Sequence, residues 1–114
     1  MDELVEQIAS KTGVDPEVAR RAAAIILKFL LQEGQDAKVR PLIETIPGAQ
    51  EAVAATPEIG GGVMGVFNSL TSAGLGMGEV QEVTREFVAY ANSKVGEDTV
   101  REIVGSIPGL NQFV

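Results

Sequence analysis

The chain has 114 residues, 45% apolar and 22% charged, with a net charge of −7 and neither cysteine nor histidine. That composition describes a globular domain with one core, and it excludes disulfides, thiolate nucleophiles, Cys/His zinc sites and Ser-His triads. The acidic balance repels a phosphate backbone, so nucleic acid is not an expected partner. Aromatic residues reach only 4%, which leaves Ala, Val, Ile and Leu to build the core.

The opening "MDELVEQIASKTG" is acidic and amphipathic. It lacks the positive start and continuous apolar run of a secretory signal, and a cytoplasmic location is expected. Asp2 is a candidate cap for a short helix with Leu4, Val5 and Ile8 on one face, and Gly13 suits its left-handed ending. In "VDPEVARRAAAIILKFLLQEG", Asp15 is the expected N-cap, Pro16 the first helical residue and Gly34 the stop. Val18, Ala22, Ile25, Ile26, Phe29 and Leu30 follow the three-four spacing of a buried face.

Asp36 is placed to cap the next helix. Pro41 has no amide hydrogen, so regular structure is expected from about Val39 or Arg40. After Ile46 and Pro47 a further short helix closes before Pro57. A second long helix begins near Glu79 with Val80, Val83, Phe87 and Ala91 inward, and Gly96 ends it. The closing helix opens on Glu97 and Asp98, acids that complement the macrodipole. No stretch alternates with period two, so the fold is expected to be all-α.

The chain also repeats itself. "KVRPLIETIPGAQEAV" and "TVREIVGSIPGLNQFV" share Val39/Val100, Arg40/Arg101, Ile46/Ile107, Pro47/Pro108, Gly48/Gly109 and Val53/Val114. Each copy follows a long helix that ends at a glycine. Two such units are too few for a solenoid, and they are expected to form related halves of one bundle.

Long helix, Ile-Pro-Gly turn, glycine-rich connector, Gly78-Glu79-Val80 helix with "FVAYANSKVG" and closing short helix together resemble the small bacterial VcgC/VcgE-like family of unknown function. The resemblance implies a helical fold. Because that family has no established activity, it implies no catalytic residue.

Three constellations invite a sharper reading. Gly60, Gly62 and Gly65 make a G-x-G-x-x-G, but the dinucleotide motif needs a preceding strand, and "AVAATPEI" supplies none. The uncharged run from Ile59 to Gly78 approaches the length of a membrane span, yet it is rich in glycine, serine, threonine and asparagine, so insertion is not expected. Glu79, Glu82 and Glu86 share a helix face, as a cation site would require. Bundle di-iron sites also use histidine, and acids in the first turns of a helix serve the dipole, so this face reads as solvated.

The resulting expectation is a single all-helical domain over 1–114, a bundle of six or seven helices. Its halves are about 1–56 and 79–114, joined by a connector of about 57–78. No enzyme activity, cofactor, metal or catalytic residue is expected. The expected role is a protein-interaction or scaffold module, with a second copy or another protein on an apolar face of Val63, Met64, Phe67 and Leu70. The alternative is a small apolar-ligand or lipid binder, the ligand lying between the halves with the connector as its lid.

Overall fold

Local signals set the helix boundaries in the computed structural model, which describes residues 1–107, 109 and 110. Among these there are seven α-helices and no strand: α1 (Asp2–Thr12), α2 (Pro16–Glu33), α3 (Asp36–Thr45), α4 (Ala49–Ala54), α5 (Gly62–Ser72), α6 (Met77–Val95) and α7 (Glu97–Gly105). The all-α expectation holds. Asp15 caps α2 by accepting from the Glu17 N–H at 2.8 Å, with Pro16 at the first helical position. Gly13 closes α1 in the left-handed conformation, φ 77°, where a side chain would be strained.

Several boundaries differ from expectation. Met1, not Asp2, is the N-cap of α1, and Asp2 sits in the first turn. Pro41 lies inside α3, which runs unbroken from Asp36. The hydrogen bond it forgoes would have ended on the carbonyl of Ala37. Ala37 and Pro41 are both exposed, so water can serve that carbonyl. α6 starts at Met77, and Glu79 Oε1 accepts from the Gly76 N–H at 2.8 Å, so this acid fastens the helix start.

The core is aliphatic, with Phe29, Phe87 and Tyr90 as its buried rings. α2 touches α1, α3, α4, α5 and α6, which explains why its buried set exceeds one stripe. Ala19, Ala23, Ala24 and Leu27 are buried, whereas Val18 and Ile25 are half-buried at the margin. Alanines along α2 let its neighbours approach closely.

The glycine-rich segment does more than connect. Its helix α5 packs against α2 and α6, the same two helices that α1 packs against. α5, α6 and α7 start 60, 61 and 61 residues after α1, α2 and α3. Matching positions share burial: Ala22/Val83, Phe29/Tyr90, Val39/Val100, Leu42/Ile103 and Ile46/Ile107 are all buried. Gly48 and Gly109 both take φ 82°. Residues 108 and 111–114, the end of the second Ile-Pro-Gly copy, lie outside the described residues.

Candidate functional site

Val63, Met64, Phe67 and Leu70 do not form one exposed face. Only Met64 points outward, at 64% exposure, while Val63 and Phe67 are half-buried against the core and Leu70 is buried within it. The reason is the seating of α5. A helix packed on both α2 and α6 turns most of its apolar stripe inward, and Val66, absent from the expected stripe, is buried with Leu70 one turn on.

Those inward side chains border a cavity. Phe67, Val66 and Leu70 of α5 meet Phe29 and Leu30 of α2, Phe87 and Ala91 of α6, and Val100 and Ile103 of α7 around a space of about 50 Å³. Its lining is apolar apart from Thr84, whose hydroxyl donates to the Val80 carbonyl at 2.8 Å. With that donor satisfied, the wall offers hydrocarbon to whatever enters. Ala91 is the small residue in this wall; its counterpart in α2 by chain offset is Leu30. The i, i+4 pair Val66 and Leu70 is the signal that finds the α5 side of the cavity in the sequence. The contributions of Ala91, Val100 and Leu110 depend on how α6 and α7 meet.

α5 is held at its entrance by backbone geometry. Gly61 caps it at φ 83°. A Cβ on Gly65 would stand 1.5 Å from the Gly60 carbonyl oxygen, so the first turn closes onto its own approach strand of chain. Gln32 of α2 bonds both backbone groups of Ile59, anchoring that approach. The G-x-G-x-x-G is thus a tight helix entry, and no strand precedes it among the described residues.

The ionisable groups sit elsewhere. At the α1–α6 contact, Lys94 Nζ lies 3.1 Å from Glu3 and 5.2 Å from the Tyr90 ring centre, and at the α1–α2 contact Arg20 lies 2.6 Å from Asp2. The Arg20 guanidinium holds Asp2 below the usual carboxylate range, and Lys94, then Tyr90, does the same for Glu3. Burial, then the Glu3 carboxylate, pushes the Tyr90 hydroxyl up, and Glu3 raises Lys94. These pairs tie α1 to α2 and α6. Among the described residues no group of three or more acids forms a metal site, and no helix is long and apolar enough to cross a membrane.

Fold and site together define an all-helical protein with an apolar internal cavity. No family model, curated protein or solved structure matches this chain.

Proposed function

We propose that this protein is a non-catalytic binding protein that receives a small apolar group in the cavity between α2, α5, α6 and α7. The observation carrying this reading is the wall itself: its side chains are hydrocarbon, and its one hydroxyl is occupied. Burial in such a wall favours apolar matter at about 25 cal/mol per Å² removed from water. Kinship with the VcgC/VcgE-like family belongs to the same proposal and adds no chemistry to it.

The test is xenon dissolved under pressure with the full chain, followed by the methyl resonances of Val66, Leu70 and Val100 and by the thermal midpoint, xenon being the smallest of the apolar probes that enter such cavities. We expect saturable shifts at these methyls and a rise in Tm, both lost in Ala91→Leu, which fills the space. Unchanged methyls at saturating xenon would overturn the reading.

A protein-interaction role, with a second copy or another protein, has one observation in its favour. Met64 and Met77 are large apolar side chains at 64% and 73% exposure, and adaptable methionines suit contact surfaces. Sedimentation across a hundredfold concentration range tests self-association, and a constant monomer mass removes the second copy as the partner.

A further inference from the structure

Size decides which apolar molecules the cavity can take. One water-sized sphere needs about 10–15 Å³ of such space, so the 50 Å³ or so between α2, α5, α6 and α7 has room for about four. A benzene ring of six carbons occupies a dry cavity of about 150 Å³, and on that scale the same space holds about two carbons. The two scales bracket an occupant of about two to four non-hydrogen atoms. A lipid tail and an aromatic ring both lie outside that bracket.

The wall does not yield readily. Phe29, Leu42, Val80 and Ile103 are each at most 2% exposed, so none can swing outward to make room, and displacing close-packed core side chains costs stability. Ala91 is the smallest side chain of the wall, and a change there alters the space directly.

The wall also decides polarity. The Thr84 hydroxyl gives its hydrogen to the Val80 carbonyl, and every other lining side chain is hydrocarbon. A charge or amide that entered would forfeit its hydrogen bonds to water. Each buried CH₂, by contrast, gains about fourfold in affinity. The favoured occupant is thus the largest hydrocarbon that the volume admits.

Resting on the reading above, we propose that the ligand is a free short hydrocarbon of two to four carbons, bound whole inside the cavity. It needs no standing channel, since a buried hydrocarbon-lined cavity takes up benzene or xenon.

The full chain is titrated with ethane, propane, n-butane, n-hexane, benzene and 1-propanol, the gases under pressure, with Kd read from the methyl shifts of Val66, Leu70 and Val100. Affinity is expected to rise about fourfold per carbon from ethane, to peak at propane or n-butane, and to be lost for n-hexane and benzene. 1-Propanol, whose hydroxyl can still donate to the Thr84 oxygen, is expected to bind more weakly than propane. Ala91→Val takes up the room of two carbons and should move the peak to ethane. Nuclear Overhauser contacts from bound propane to the Val66 and Leu70 methyls place the ligand in the unaltered chain without a variant. Binding of n-hexane or benzene more tightly than n-butane, or of 1-propanol more tightly than propane, overturns this inference. So do methyls that respond to xenon and to none of the short hydrocarbons, and in each of these cases the apolar site stands. Methyls that respond to neither overturn the site, and this inference with it.

Discussion

Gln32 and Ile59 hold each other by two hydrogen bonds across 27 positions of chain: Gln32 Nε2 donates to the Ile59 carbonyl, and the Ile59 N–H donates to Gln32 Oε1, each at 2.9 Å. One side chain in α2 thereby satisfies both backbone groups of a residue outside any helix. Gln32→Ala leaves both without a partner. With roughly 0.5–1.5 kcal/mol per bond, the variant is expected to lose about 1–3 kcal/mol in urea denaturation. Faster amide exchange from Ile59 into α5 should accompany it, and exchange unchanged there would show that the α5 entry is held by other contacts.

Two glycines separate close approach from mere presence. Gly65→Ala drives a methyl into the Gly60 carbonyl, at 1.5 Å, and is expected to destabilise by at least about 2 kcal/mol because backbone must move. Gly78 lies inside α6 with nothing within 4 Å of the added atom. Gly78→Ala should stabilise by about 0.5–1 kcal/mol, since a helical glycine is the less favourable residue. Thermal denaturation of the pair checks both signs.

Leu70 is buried and lines the cavity. Leu70→Ala enlarges the space and is expected to cost about 2–5 kcal/mol. Xenon should restore more stability to this variant than to the unaltered chain, because ligand bound by the folded state alone stabilises it by mass action. Equal Tm shifts in the two proteins would place the xenon site elsewhere.

Stability should fall at both ends of the pH range, for opposite reasons. Asp2 and Glu3 have folded pKa values below their ordinary 3.8 and 4.5. Their contribution is present above those values and is lost as pH falls through the lowered ones. Tyr90 and Lys94 are raised above 10.0 and 10.5. Their contribution is complete below those values and is lost as pH rises through the raised ones. Glu3→Gln should flatten part of the acid limb, and Tyr90→Phe part of the alkaline limb. Added salt should shrink both, since the ion pairs are exposed. Denaturant midpoints between pH 2 and 12 are the measurement, and an unchanged alkaline limb in Tyr90→Phe would remove the hydroxyl from the account.

Most helix limits were legible in the sequence because each depends on a few adjacent residues. Asp15 before Pro16, and glycine after Thr12 and Val95, act through backbone groups within one turn. Pro41 misled for the same reason: the local rule says a proline weakens a helix, and it is silent on whether the orphaned carbonyl reaches water. The inward face of α6 was legible from three-four spacing, whereas α2 was only partly so, because a helix with neighbours on most sides buries alanines that no stripe distinguishes.

The composition and patterning by themselves determined an aliphatic all-α fold without thiol or imidazole chemistry, and they exposed the Ile-Pro-Gly repeat. Tertiary structure decided which way Val63, Met64, Phe67 and Leu70 face, turning three of the four toward the interior, and it decided that Ala91, Val66 and Val100 border one cavity. The physical reason is range. Capping and helix periodicity act within a turn or two of chain, while burial and cavities arise where α2, α5, α6 and α7 meet, and side-chain volumes from four distant segments must there fill one space.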